Sequence, residues 1–292
     1  MHPHLSQPPR SVPISLSIAN IFNGFSQFGW IVLGFGGIFF WIFALNADFS
    51  LVTFRGEVAR IEGEITGIEK TNASEGGSKR RRGTPVYANH YAYSIAGQRF
   101  NGVSYETGSS RSVGEQVQIE YLARNPKASR IEGMRRAMFG PFASFVVIFP
   151  LVGGLIAIVS MLGGRKRNAL LRNGIVANGK LIEKRATNMR VNKQTVYALT
   201  FEFTGRDGRP HKVTTKTHNP QRLEDEALEP LLYDPDKPSN AYLLDEIPAR
   251  PTVTPDGQLE GRPGLALALL IIPLITIAGH GLVAALRLGL FK

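Results

Sequence analysis

The residues of this chain that could do chemistry are few and scattered. His90, His211 and His218 lie in segments with strand patterning, and no acidic residue stands beside them at ligand spacing on a predicted helix. Asp234 and Asp236 flank a proline and could bind calcium, but the ligand run of an EF-hand loop is missing. We therefore interpret this pair as turn-forming residues, whose side chains bond to nearby backbone groups.

His280 is the most unusual polar residue, because it lies inside an apolar run. An ionisable side chain within a membrane segment is a candidate functional group. His280 also lies close to Arg287, and hence near one end of the run, where a histidine needs no special function. The sequence leaves both interpretations open, with His280 as a candidate intramembrane functional residue.

No catalytic, cofactor-binding or metal-binding site is predicted. The chain has no cysteine, which excludes disulfides, thiolate catalysis and cysteine-ligated zinc. It also lacks the H-E-x-x-H pattern, the phosphate-binding loop, the G-x-S-x-G elbow and the dinucleotide-binding fingerprint. We therefore expect no enzymatic activity, no cofactor and no bound metal.

Three long apolar runs predict membrane-spanning helices. The central run, residues 137–164, contains no charged residue and can cross a hydrocarbon core of about 30 Å. The first span is predicted at residues 28–45, with Trp30 and Trp41 near its two ends, where interfacial aromatics prefer to lie. The third span covers residues 264–287.

The polar segments between the spans predict two β-modules. Apolar and polar residues alternate at residues 86–100 and 113–121 of the first segment, and at 196–203 and 211–217 of the second. Period-two alternation with β-branched and aromatic residues is typical of half-buried antiparallel strands. The predicted fold class is a membrane α + β protein, with three transmembrane helices and two small antiparallel β-modules between them.

The chain therefore divides into seven predicted segments. These are a disordered, proline-rich N-terminus (1–13), an interfacial helix with the first span (14–47), the first β-module (48–136), the second span (137–164), the second β-module (165–248), a linker (249–263) and the third span (264–287). Within the second module, residues 165–172 predict a short basic helix along the lipid headgroups. If the central run crosses the membrane once, the two modules face opposite sides.

Basic residues flank the central span on both sides. The candidate contacts for anionic lipid are Arg135, Arg136, Arg165, Lys166 and Arg167. The net charge of +11 would also suit nucleic acid. We favour the membrane interpretation, because the most basic loop, residues 79–82, contains no aromatic residue on which a base could stack. The lipid bilayer is thus the expected partner, and nucleic acid is not expected.

The two modules predict an internal repeat. Val86-Tyr87-Ala88 recurs 110 positions later as Val196-Tyr197-Ala198. The same offset matches Lys127 and Ser129 to Lys237 and Ser239, and Ile68-Glu69-Lys70 resembles Ile182-Glu183-Lys184. Because an apolar span precedes each module, the repeating unit is one span plus one β-module.

The ends of the modules also carry a family resemblance. Its motifs are Gly114-x-x-Val117-x-Ile119-x-Tyr121, Asn125-Pro126 and Ser129-Arg130-Ile131, with Tyr233-Asp234-Pro235-Asp236-Lys237-Pro238 in the second copy. They resemble the closing strand of a bacterial family known only as domain of unknown function 3592. The second copy departs from the pattern, since residues 223–228 (LEDEAL) replace the Gly-x-x-Val start. The resemblance implies membrane-tethered β-domains and brings no established activity or site residues.

These patterns predict a multi-pass protein of the bacterial inner membrane whose β-modules mediate protein interactions without enzymatic activity. One alternative is a small transporter or channel component that uses His280. Another is an immunity or envelope-stress membrane protein. Gly29, Gly34, Gly36 and Gly37 offer a flat helix face, which makes a homo-oligomer a further candidate partner.

Overall fold

The computed structural model describes residues 5–78, 82–108 and 111–290, which form a mixed α/β protein. The chain divides into two compact units, Met1–Gly34 with Leu151–Lys292, and Phe35–Pro150. Each unit contains one five-stranded antiparallel sheet. Three residues of the predicted basic loop, Lys79 to Arg81, lie outside the described residues.

The helices account for the apolar runs. They are α1 (Ile14–Phe22), α2 (Phe25–Ile42), α3 (Ser50–Thr53), α4 (Ile148–Asn173) and α5 (Pro263–Arg287). Three segments, Phe25–Asn46, Pro141–Asn173 and Pro263–Arg287, are helical, long and apolar enough to cross a membrane. Large apolar side chains along them are exposed, including Phe35 at 64% and Ile275 at 67%. Apolar surface of this extent is typical of an interaction with lipid or protein.

The central helix is shifted relative to the predicted span at residues 137–164. A 3₁₀ turn at Pro141–Val147 leads into α4, which continues to Asn173. Residues 165–172, predicted as a separate basic helix, are instead the last turns of α4. Their arginine, lysine, alanine and leucine residues are strong helix formers, so the change from apolar to basic composition does not end the helix.

Described residues of the segment 5–13 pack against their unit, which differs from the predicted disorder, and residues 1–4 of that prediction lie outside the described residues. Arg10 is 5% exposed and donates to the carbonyls of Leu171 and Gly174 at 3.2 and 2.8 Å. The last carbonyls of a helix have no partner within it, and a guanidinium at the C-terminal end of α4 supplies one. In α1, predicted as an interfacial helix, Leu16 and Ala19 belong to a buried cluster.

The first sheet follows α3 in the chain. Its strands are β1 (Val58–Glu75), β2 (Thr84–Ile95), β3 (Gln98–Thr107), β4 (Gln116–Leu122) and β5 (Asn125–Ile131), in the order β3-β2-β1-β4-β5. Alternate residues of these strands form its core, including Ile65, Tyr91, Val117 and Ile119. The predicted alternation therefore corresponds to one buried and one more exposed face.

The second sheet follows α4 and repeats the topology of the first. Its strands are β6 (Ile175–Val191), β7 (Gln194–Thr204), β8 (Pro210–Thr217), β9 (Glu229–Tyr233) and β10 (Ala241–Leu243), in the order β10-β9-β6-β7-β8. Read from the other edge, this is the order of the first sheet. Its core includes Phe201, Leu231 and Leu243.

The two sheets also share their pairing register and irregularities. Ile65 pairs with Tyr91 in the first sheet, and Leu181 with Phe201 in the second. The next residue, Thr66 on β1 or Ile182 on β6, has no partner on the neighbouring strand, so each strand has a bulge at the same place. At a second irregularity, the hydroxyl of Thr71 or Thr187 donates to a carbonyl of the neighbouring strand. Bulges are specific local features, so their recurrence indicates two copies of one unit.

The register corrects part of the predicted repeat. Ala88 and Ala198 are equivalent, and they pair with Glu69 and Arg185. Ile68-Glu69-Lys70 therefore corresponds to residues 184–186, not 182–184. By the same argument Lys127 and Ser129 correspond to residues 239 and 241, not to Lys237 and Ser239. Together, the connections that follow the second strand contain two more residues in the second copy. A comparison at one constant offset therefore aligns the later residues incorrectly.

The predicted linker, residues 249–263, contains structure of its own. Two short strands, β11 (Thr252–Val253) and β12 (Leu259–Glu260), pair as a hairpin. Leu259 is 5% exposed and belongs to the same buried cluster as Leu16. Val253 packs against the same cluster, and the backbone N–H of Ser6 donates to the Gly257 carbonyl at 2.9 Å, so these contacts hold the hairpin against its unit.

Glu120 joins three strands of the first sheet through charge. It is 7% exposed on β4, and it accepts hydrogen bonds from Arg60 on β1 at 3.1 Å and from Arg130 on β5 at 2.9 Å. Burial by itself would raise the pKa of Glu120, but the bonds and charges of the two arginines outweigh it and lower the pKa. The carboxylate form is therefore stabilised in the folded protein.

We expect Glu120→Gln to lower the free energy of unfolding by about 1–2 kcal/mol at pH 7, because each arginine loses a charged acceptor. Urea unfolding of the purified protein in detergent measures this. A depressed pKa stabilises the fold above the carboxyl's usual pKa of about 4.3, so the difference should shrink below about pH 4. Glu62→Gln, at an exposed position on β1, is the control and should change little. Equal effects of the two substitutions would contradict the role of Glu120.

Candidate functional site

His280 lies at a contact between α5 and α2. Its Nε2 atom donates to the carbonyl oxygen of Gly34 at 3.0 Å. A Cβ atom on Gly34 would lie 2.8 Å from the hydroxyl oxygen of Thr276, so the two helices approach closely there. Polar side chains in apolar helices commonly bond across to a neighbouring helix. Helix packing therefore gives His280 a structural role at this contact, and its proposed function within the membrane stays a prediction.

The five basic residues proposed as lipid contacts have different surroundings. Arg165 and Lys166 are exposed on α4, whereas Arg167 donates to the carbonyl of Asn20 at 2.9 Å. Arg135 pairs with Glu75 at 2.6 Å, and Arg136 lies over the ring of Phe54 at 5.3 Å. Arg165 and Lys166 thus remain the most accessible of the five to a lipid headgroup.

An acidic cluster lies at one end of the second sheet. Asp225, Glu229 and Asp245 each place one carboxylate oxygen within 4.8 Å of the others. The pairing of β9 with β10 brings the cluster together, because Leu231 lies opposite Leu243 in this antiparallel pair. Glu229 is the first residue of β9, and Asp245 lies in the 3₁₀ turn Leu244–Glu246 that directly follows β10. Asp225 joins them from the loop that precedes β9.

Glu229 is the buried member of the cluster. It is 2% exposed, and its Oε1 atom has no hydrogen-bond partner among the described residues. Burial raises the pKa of Glu229 to about 7, and the negative charges of Asp225 and Asp245 contribute in the same direction. A hydrogen bond from the backbone of Glu226 opposes the rise. A buried carboxylate oxygen without a donor is unfavourable and requires an explanation.

The first sheet has an apolar residue at the equivalent position. Val117 pairs with Gly63 on β1, and Glu229 pairs with Gly179 on β6. Val117 is 5% exposed in the core of its sheet. The fold of one copy therefore forms with a valine where the other copy buries a carboxylate. The two copies therefore differ in charge at this buried position.

A polar cavity of about 300 Å³ lies beside the cluster. Its lining includes His218, Arg222, Asp245, Glu246 and Arg250. Glu246 forms a hydrogen bond with the hydroxyl of Thr215 on β8, and burial raises the pKa of its carboxyl to about 7. The lining therefore carries side chains of both signs of charge.

The acidic cluster is not predicted from the sequence. Asp234 and Asp236 fit the turn interpretation, because the backbone N–H of Asp236 donates to the Asp234 side chain at 3.0 Å. The available signal was the departure of residues 223–228 from the Gly-x-x-Val pattern. In the structural register, that pattern's valine is Glu229 in the second copy.

No family model, curated protein or solved structure matches this chain.

Proposed function

We propose that this chain is a multi-pass protein of the bacterial inner membrane whose β-modules bind partner proteins without catalysing a reaction. Three apolar helices with exposed side chains support the membrane location. The sheet topology fits membrane-tethered β-domains of the kind that the resemblance to domain of unknown function 3592 implies, and we include that membership in the proposal. A free strand edge in the second sheet carries the proposed interaction.

This free edge is the outer side of β8. Within residues 5–78, 82–108 and 111–290, no backbone hydrogen bond joins that side of β8 to another segment. The equivalent strand of the first sheet, β3, is covered in part, because Tyr105 and Arg135 exchange backbone hydrogen bonds of 2.8 and 3.1 Å. Lys216 on β8 is the counterpart of Tyr105, since they pair with the equivalent Ala198 and Ala88.

The chemistry of the edge favours an acidic partner. Lys212 and Lys216 are exposed on β8 and lie on one face of the strand, because they are four residues apart. Lysines on an edge strand discourage pairing with a second copy of the same basic edge. An extended segment with acidic side chains could add to the sheet through its backbone and neutralise both lysines. We therefore propose an acidic, extended protein segment as the partner of β8.

Site-specific photo-crosslinking in cells tests this proposal. We expect p-benzoylphenylalanine at position 216 to form an adduct with a partner, and mass spectrometry should locate it in an acidic extended segment. The same group at position 105, on the covered edge, is the matched control and should give no such adduct. Lys212→Glu should abolish the adduct at position 216. An adduct that survives Lys212→Glu, equal labelling at both positions, or no adduct at all would contradict the proposal.

A further inference from the structure

We propose that Asp225, Glu229 and Asp245 form a binding site for a hard divalent cation, and that Ca²⁺ is the cation that fits best. The proposal is separate from the β8 edge and concerns the opposite half of the sheet, where β9 and β10 lie. The cation would bind the buried carboxylate of Glu229, and the first copy of the module has no carboxylate at the equivalent position.

The spacing of the oxygen atoms suits Ca²⁺. Ca²⁺ is bound by oxygen ligands at about 2.3–2.6 Å, so two ligands on opposite sides of the ion lie roughly 5 Å apart. The three carboxylate oxygens lie within 4.8 Å of one another and can therefore share one ion without rearrangement of the backbone. Mg²⁺ requires about 2.1 Å and a near-ideal octahedron, whereas Ca²⁺ accepts irregular sets of carboxylate and water oxygens such as a partly exposed cluster provides.

The chemistry of the ligand atoms also favours a hard cation over zinc or copper. All three ligands are carboxylates, whereas zinc and copper favour imidazole and thiolate groups. His218 lines the neighbouring cavity but is not part of the cluster. A site made of oxygen alone is typical of calcium, magnesium or manganese.

The unpartnered Oε1 atom of Glu229 is the observation that points to a ligand. A buried carboxylate is normally paired with a cation or with hydrogen-bond donors. The neighbours of Glu229 within the cluster are two further carboxylates, which repel it rather than pair with it. A divalent cation would partner this oxygen and reduce the repulsion among the three carboxylates.

The repeat shows that the sheet does not need this glutamate. Val117 occupies the equivalent core position of the first copy, with the same strand order and the same register. A carboxylate at that position therefore reflects a property of the second copy alone. Asp225 and Asp245 are exposed, which gives an ion access from solvent and leaves room for water to complete its coordination.

The test is cation binding by the full-length protein, purified in detergent and dialysed against EDTA. Isothermal titration with CaCl₂ should show binding, and Ca²⁺ should raise the Tm, because a ligand specific to the folded state stabilises it. Asp225→Asn should weaken Ca²⁺ binding roughly tenfold or more, because the affinity of such sites falls when a negatively charged ligand is removed. Glu229→Val should abolish binding while keeping the fold, because it introduces the residue of the first copy.

Asp256→Asn provides the matched control, since Asp256 is an exposed aspartate in the turn of the β11–β12 hairpin. It should bind Ca²⁺ as the unchanged protein does. Parallel titrations with MgCl₂, MnCl₂ and ZnCl₂ test the choice of ion. The absence of Ca²⁺ binding at millimolar concentration, binding that persists in Glu229→Val, or a preference for zinc would overturn the proposal.

Discussion

Replacement of Glu229 by valine is expected to stabilise the protein in the absence of divalent cations, and increasingly so as the pH rises. The Glu229 carboxyl has a pKa of about 7 in the folded protein, because it is buried beside Asp225 and Asp245. In the unfolded chain its pKa returns to about 4.3. Between these two values the unfolded chain has already lost the proton that the folded chain keeps.

The sign of the pH effect follows from this difference. Below about pH 4 the carboxyl is protonated in both states and contributes no pH dependence. As the pH rises from about 4 to 7, ionisation of Glu229 favours the unfolded chain. The free energy of unfolding of the unchanged protein therefore falls by about 3 kcal/mol, and Glu229→Val has no such loss. The stability difference between the variant and the unchanged protein should therefore widen by about that amount from pH 4 to pH 8.

Urea unfolding in EDTA at a series of pH values measures this difference. Asp225, Glu226 and Asp245 are present in both proteins, so their own titration largely cancels in the comparison. Asp256→Asn should show a pH profile parallel to that of the unchanged protein. A constant difference between Glu229→Val and the unchanged protein from pH 4 to pH 8 would show that the carboxyl is not perturbed.

The second large effect is expected from Gly153→Ala on α4. A Cβ atom on Gly153 would overlap the backbone nitrogen of Leu33 and lie 2.8 Å from its Cα atom. These are backbone atoms of α2, so relief requires a movement of the helix rather than of one side chain. Overpacking of this kind typically destabilises by about 1–3 kcal/mol, which exceeds the gain of less than about 1 kcal/mol from the better helix propensity of alanine.

The neighbouring glycine gives a close control. A Cβ atom on Gly154 would meet its nearest neighbour, Cδ1 of Leu33, at 3.9 Å, which is ordinary van der Waals contact. Gly154→Ala should therefore be neutral or slightly stabilising. Thermal unfolding in detergent compares the two variants directly. Equal Tm values for Gly153→Ala and Gly154→Ala would contradict the close approach of α2 and α4.

The same contacts bear on the predicted oligomer. A Cβ atom on Gly29 would lie 2.5 Å from the nitrogen of Ala157, and one on Gly36 would lie 2.7 Å from Cβ of Phe149. Together with Gly34, these glycines pack within the chain. A homo-oligomer stays a prediction, and it would have to use other faces of the helices.

The sequence by itself determined the elements of this protein. Uncharged apolar runs are long enough to form helices without any information about their neighbours, and period-two alternation requires one buried face of a sheet. The recurrence of Val86-Tyr87-Ala88 as Val196-Tyr197-Ala198 identified the equivalent second strands of the two copies. The apolar runs and the alternation depend on residues close together in the chain, and the repeat depends on the identity of short matching segments.

Only the tertiary structure decided which distant residues meet. The packing of Arg10 against the end of α4 and the acidic cluster both depend on groups far apart in sequence. The true register of the repeat depends on bulges and loop lengths, which composition does not encode. Glu229 was visible as a glutamate from the start, but its burial follows from its place opposite Gly179 in the sheet. Burial, rather than residue type, makes this carboxylate chemically unusual.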